Sequence, residues 1–192
     1  MYPEGEPRAA AVVCHAHPLH GGMMHFKVVF RAAKALQSRG LAVLRFNFRG
    51  VSRSEGVHDH GIGELEDARA VLDAIERRFP ALPLVVGGFS FGAMVALRVA
   101  SQDARVRAAF ALGYPATLAG DTGLLAERVL PRLFVQGGSD VFGDLETITE
   151  FVGGLLPPPV LHVFAGADHF FTGRLDELEA VLSDWAAGEP WL

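Results

Sequence analysis

Six short apolar runs punctuate the chain, and the longer stretches between them repeat apolar residues every three or four positions. The runs are Ala9–Cys14, Leu41–Phe46, Leu84–Gly87, Ala108–Leu112, Arg132–Gln136 and Val160–Phe164. Each is nearly continuous in apolar character, without the alternation of a strand that faces water on one side, so strands covered on both faces are predicted. Among the intervening stretches, Phe26–Arg39 lines up Phe26, Val29, Phe30, Ala33 and Leu36, with Gly40 placed to end a helix. Gly63–Phe79 repeats Leu65, Ala68, Leu72 and Ile75 ahead of Pro80, and Phe91–Ser101, Leu145–Leu156 and Arg174–Trp185 complete the predicted helices. Strands alternating with helices at this spacing give right-handed crossovers, hence an α/β fold: a mostly parallel sheet of six strands with helices on both faces.

A chain of 192 residues, half of them hydrophobic, is long enough for one well-buried core, and a single domain over residues 1–192 is expected. Few residues precede the first strand, so the sheet is expected to begin abruptly. An exposed edge of that kind can pair with a second copy, which makes a homodimer an open expectation. A net charge of −5 argues against nucleic-acid or anionic-membrane partners, since neither is attracted to it. Cys14 is the only cysteine and cannot form an internal disulfide, which suits a reducing compartment. The N-terminal residues lack a basic stretch followed by an apolar one, and no apolar run is long enough to cross a bilayer, so a cytoplasmic location is expected.

The most informative stretch is Leu84–Ala100, LVVGGFSFGAMVALRVA, in which a strand runs through Gly88-Phe89-Ser90-Phe91-Gly92 into a helix. G-x-S-x-G requires small residues on either side of the serine because a sharp strand-to-helix turn brings two backbones together. The serine then sits strained, with its hydroxyl above the sheet. The alternative is a glycine-rich turn capped by Ser90. A serine nucleophile needs a base and a carboxylate to orient it. Parallel sheets present functional groups at the carboxyl ends of their strands. There the chain supplies Gly137-Gly138-Ser139-Asp140 after the fifth run and Ala165-Gly166-Ala167-Asp168-His169 after the sixth. The order Ser90, Asp140, His169 suits this architecture. Asp140 is preferred to Asp144, which lies near a predicted helix start, and to Asp168, which is the immediate neighbour of His169.

Cys14-His15-Ala16-His17-Pro18-Leu19-His20-Gly21-Gly22 follows the first strand and raises the possibility of zinc. The H-x-H-x-D-H metal motif has aspartate where this chain has Leu19, and Pro18 stiffens the loop. His58 and His60, in GVHDHGIG, read more simply as part of a loop before a helix, so no metal and no organic cofactor is expected. Asn47 and Arg49, in RFNFRG, are expected to hydrogen-bond neighbouring loops.

Together these segments resemble a group of lidless bacterial α/β-hydrolases that pair an H-x-H-P-x-x-G-G loop, here His15–Gly22, with an R-F-N-F-R-G-x-x-x-S segment, here Arg45–Ser54. The chain is more distantly similar to dienelactone hydrolases. It departs from the pattern at Ser52, where glycine is expected, and in lacking the customary first strands. The resemblance implies an oxyanion hole with one donor in the loop after the first strand and the other from the Phe91 N–H. Pro18 has no N–H, which points to Leu19, with His20 as the reserve. The resemblance and the residues together imply a serine hydrolase that cleaves small carboxylic esters through an acyl-enzyme. Its cleft is expected to be open, because the segment between the fourth and fifth strands is too short for a lid. Thioester, lactone, amide or peptide cleavage on the same residues remains open, as does a binding protein that keeps the fold without turnover.

Overall fold

The computed structural model describes residues 1–118 and 128–188. Its elements in chain order are β1 (Ala9–Cys14), α1 (Lys27–Ser38), β2 (Leu41–Arg45), α2 (Ile62–Arg78), β3 (Leu84–Phe89), α3 (Phe91–Gln102), β4 (Val106–Leu112), β5 (Arg132–Gly137), α4 (Leu145–Gly153), β6 (Val160–Phe164) and α5 (Leu175–Ala187). A short 3-10 turn, Pro18–His20, lies between β1 and α1. The six strands form one sheet in the order β2-β1-β3-β4-β5-β6, and every neighbouring pair is parallel.

This is the parallel α/β sheet that the alternation of runs predicts. All six residues of β1 are buried, as are all six of β3, because helices cover both faces. Val28, Val29, Ala32 and Leu36 of α1 pack with Leu178 and Leu182 of α5 on one face. Ala68 and Leu72 of α2, Val95 and Val99 of α3, and Ile148 and Val152 of α4 cover the other. Since all the strands are parallel, their carboxyl ends share one rim. From β1 the chain steps outward to β2 and then crosses to β3 on β1's other side. The loops after the two strands lead to helices on opposite faces, α1 and α3, which is the switch point where open parallel sheets present functional groups.

Boundaries shift where tertiary pairing overrides local pattern. β3 runs on to Phe89 because Gly88 and Phe89 pair with Ala111 and Leu112 of β4, although Gly88 has no apolar side chain to signal a strand. α4 stops at Gly153, short of Leu156, with Gly154 at its end. The β2 edge is partly met by the chain itself: the Met1 amino group donates to the Val43 carbonyl at 2.7 Å and the Val43 N–H donates to the Met1 carbonyl at 2.8 Å. The segment between β4 and β5 that bears on a lid lies partly outside the described residues, at 119–127. No described helix is long and apolar enough to cross a membrane.

Ser52, which stands in place of an expected glycine, has φ +56°. Left-handed backbone costs an L-residue about 1–2 kcal/mol, partly offset by the unfolded-state entropy that glycine adds. Ser52→Gly is therefore expected to stabilise the protein by about 0.5–1 kcal/mol. Urea unfolding checks this as a higher midpoint at unchanged slope.

Candidate active site

Ser90 sits between β3 and α3 with φ +56° and ψ −123°, a conformation glycine adopts readily and serine does not. Close backbone approach enforces it. A Cβ on Gly88 would lie 2.5 Å from the Gly92 carbonyl oxygen, and one on Gly92 would lie 2.3 Å from that of His15. Any side chain at either position would push apart β3, α3 and the loop after β1. The Ser90 N–H donates to the Leu112 carbonyl at 2.9 Å, which anchors the turn to β4.

The structure brings Ser90, His169 and Asp140 into one file. His169 Nε2 is 2.9 Å from Ser90 Oγ, and His169 Nδ1 is 2.7 Å from Asp140 Oδ2. Asp140 is 2 % exposed and His169 5 %, so both bonds are largely shielded from water. The Phe142 N–H donates to Asp140 Oδ1 at 2.9 Å, and Gln136 Nε2 donates to Oδ2 at the same distance. With its oxygens so occupied, the carboxylate is held square to the imidazole. Small residues allow the two supporting loops to meet. A Cβ on Gly137 would lie 2.5 Å from the Ala167 carbonyl oxygen, and the Ser139 N–H donates to that same oxygen at 2.9 Å.

The rival carboxylates are engaged elsewhere. Asp144 caps α4, accepting from the Thr147 N–H at 2.9 Å, and Asp168 caps its own turn through the Thr172 N–H at 2.9 Å and hydroxyl at 2.7 Å.

Leu19 is not a free donor. Its N–H donates to His17 Nδ1 at 3.2 Å, and the reserve, His20, donates its N–H to the His17 carbonyl at 3.1 Å. Both expectations overlooked the 3-10 turn, in which His17 as first residue takes up the N–H groups that come after it. Among the described residues, no acceptor meets the N–H of His17 or of Phe91. Their rings lie 5.1 Å apart, where the β1 loop abuts the start of α3.

The three histidines after β1 part company in the fold. His15 is fully buried: its Nδ1 lies 2.6 Å from the Ala16 carbonyl and its Nε2 accepts the Phe48 N–H at 3.0 Å. It thus ties the β1 loop to the β2 loop as a neutral ring. Burial pulls its pKa down to about 4, the bond to Ala16 opposing. A histidine lowered in the folded state is protonated first in the unfolded chain. Its contribution is therefore complete above the ordinary pKa of 6.5 and drains away as pH falls to about 4. A loss of about 3 kcal/mol over that window is expected from this residue. Urea unfolding as a function of pH checks this: His15→Asn should flatten the acid limb relative to wild type.

Among the described residues no three His, Cys, Asp or Glu side chains are arranged to hold a metal ion. Asn47 Oδ1 accepts the Met24 N–H at 2.8 Å and holds a neighbouring loop as expected, whereas Arg49 pairs with Asp67 of α2 at 2.8 Å and ties its loop to a helix. Sequence reasoning did not find Gln136, which looks like any polar residue at a strand end. Nor did it find Gly113, whose φ of +54° and absent side chain make room for His169, with a Cβ there only 3.2 Å from the ring. It also missed the pairing of buried Glu64 with His58 Nδ1 at 2.8 Å.

A family model described as an alpha/beta hydrolase domain matches residues 8–182. A solved alpha-beta serine hydrolase homologue from Coxiella burnetii is 40 % identical with a TM-score of 0.89, covering 96 % of this chain and 88 % of its own. A serine hydrolase without lid from Xanthomonas campestris is 35 % identical with a TM-score of 0.87, covering 95 % and 84 %. An uncharacterised protein of Rickettsia prowazekii is 34 % identical, covering 91 % of this chain and 77 % of its own length.

Proposed function

Since the chain belongs to the alpha/beta-hydrolase family, we propose that it is a serine hydrolase that cleaves small carboxylic esters through an acyl-enzyme on Ser90. The observation that carries this reading is the file from Ser90 Oγ through the His169 ring to Asp140, with contacts of 2.9 and 2.7 Å. In the proposed cycle His169 Nε2 accepts the hydroxyl proton as Ser90 Oγ adds to the ester carbonyl. Asp140 holds the Nδ1 proton and stabilises the imidazolium. The tetrahedral oxyanion receives the N–H of Phe91 and, in place of Leu19, that of His17. Each such donor typically contributes about 3–4 kcal/mol to the transition state. Collapse expels the alcohol, which takes the proton from His169 Nε2. Water then repeats the sequence on the acyl-enzyme and releases the acid.

The proposed cycle uses no metal or cofactor, and the residues of the file lie just beyond the ends of β3, β5 and β6. Labelling by a fluorophosphonate, which phosphonylates an activated serine with loss of fluoride, tests the proposal. Wild type should be labelled and Ser90→Ala should not. A native protein that resists the reagent, or a label that persists in the variant, overturns it.

A further inference from the structure

The loops on one flank of Ser90 carry chemistry that this cycle does not use. Along the sheet, Asp140 and His169 follow β5 and β6, whereas His17 and His20 follow β1 and His58 and His60 follow β2. Ser90, at the end of β3, therefore has the base on one side and four imidazoles on the other. The rings touch in series: His20 to His17 at 4.6 Å, His17 to His58 at 4.7 Å and His58 to His60 at 5.0 Å between centroids. His17 and His58 also pack on Phe91, the residue after the nucleophile, at 5.1 and 5.6 Å.

The cluster is braced. Glu64, fully buried, accepts His58 Nδ1–H at 2.8 Å, the Asp59 N–H at 3.0 Å and the Gly61 N–H at 2.8 Å. Burial alone would raise the Glu64 pKa, but these donors hold it below the usual range, so it remains a carboxylate. The His58 side chain is only 5 % exposed, yet among the described residues its Nε2 has no protein partner. His17 Nδ1 accepts from Leu19, which leaves its proton on Nε2, a donor without a partner among the described residues. Arg98 of α3 adds a positive charge: its Nη1 lies 3.7 Å from where a Cβ on Gly61 would stand.

We propose that these imidazoles form the acyl-side wall of the cleft and recognise a carboxylate on the acyl chain of the substrate, so that the preferred esters are monoesters of dicarboxylic acids. The inference rests on the esterase reading. His169 must protonate the leaving alcohol, which places the alcohol on its side, where Phe142 and Phe170 flank it at 4.8 and 5.3 Å and are 40 % and 49 % exposed. That rim is apolar, and the acyl chain is left the imidazole flank. The cluster is short of an anion. The His17 pKa is lowered first by burial and then by the charges of His58 and His20, with Glu64 opposing and His60 adding to the effect. Of the acids facing it, Glu64 is engaged by three donors, and Asp59 accepts the Gly63 N–H at 3.1 Å. A bound carboxylate would accept from His17 Nε2–H and supply the anion that this flank lacks.

The test compares 4-nitrophenyl hydrogen adipate with its methyl ester, which replaces the negative charge with a methyl group. For wild type the acid should show the higher kcat/KM, by about tenfold, a 1.4 kcal/mol preference. In His58→Gln the ratio should fall towards one. His20→Gln/His60→Gln, both at exposed positions, lowers the ratio without touching the Glu64 brace and serves if His58→Gln fails to fold. A wild-type ratio at or below one, or a ratio unchanged in both variants, overturns the inference while leaving ester hydrolysis standing. Independently of turnover, adipate added to Ser90→Ala should shift the imidazole NMR signals of His17 and His58. Those shifts in a protein that hydrolyses no ester would sink the esterase reading alone, and their absence would sink the carboxylate site.

Discussion

Ser90→Ala is expected to lower kcat/KM for a small activated ester by about 10^4- to 10^6-fold, leaving only what oriented donors and binding can supply. The hydroxyl is the only part of Ser90 that reaches His169 Nε2, at 2.9 Å, and alanine removes it without adding volume. The strained φ of +56° persists, because the pressure of the Gly88 and Gly92 backbones does not depend on the hydroxyl. The variant should therefore fold with near wild-type stability, which separates a chemical loss from a structural one. Steady-state hydrolysis of a 4-nitrophenyl ester, read with thermal unfolding of the same sample, checks both statements. A variant that keeps more than about one per cent of the wild-type rate would mean that another group attacks the ester.

The second large effect belongs to the carboxylate. Asp140→Asn is expected to lower kcat by about 10^4-fold with little change in KM. The shape of the side chain survives, but the hydrogen-bond logic does not. Asp140 Oδ2 accepts from His169 Nδ1 at 2.7 Å and from Gln136 Nε2 at 2.9 Å, while Oδ1 accepts from the Phe142 N–H at 2.9 Å. An asparagine has one acceptor oxygen for these three donors. If its NH2 faces His169, the imidazole is driven to the tautomer protonated on Nε2, which cannot take the serine proton. Asp144→Asn and Asp168→Asn are the internal controls. They lose charge at caps outside the file, so their kcat should stay near that of wild type. A collapse of kcat in Asp168→Asn with Asp140→Asn active would reverse the assignment.

How much of the site was legible in the sequence depended on the length scale of the signal. The elbow was legible because a strand, two glycines, a serine and a helix are contiguous in the chain and each obeys local rules. Asp140 and His169 were legible because parallel strands place their ends on one rim, so position relative to a strand end substitutes for coordinates. The local engagement of the Leu19 N–H was not legible, for a related reason. Which N–H groups a loop leaves free depends on its turn geometry, and Pro18 opens a 3-10 turn in which the His17 ring and carbonyl take up the N–H groups of Leu19 and His20. Gln136 and Gly113 were invisible because each depends on a partner from another strand end: Gln136 accepts the Tyr114 N–H while donating to nearby Asp140, and Gly113 clears space for His169. The same holds for the cluster of imidazoles, whose members come from two loops brought together only when β1 and β2 pair.

By itself, then, the sequence determined the order and type of the elements, the parallel sheet, the sharp turn at Ser90 and the kinds of group at each strand end, because hydrophobic period and glycine placement act within a few residues of themselves. Tertiary structure alone decided the contact distances within the file of Ser90, His169 and Asp140, which backbone N–H groups are left free and which histidines come into contact. Those are matters of ångströms between segments far apart in the chain, and only the packing of helices on the sheet sets such distances.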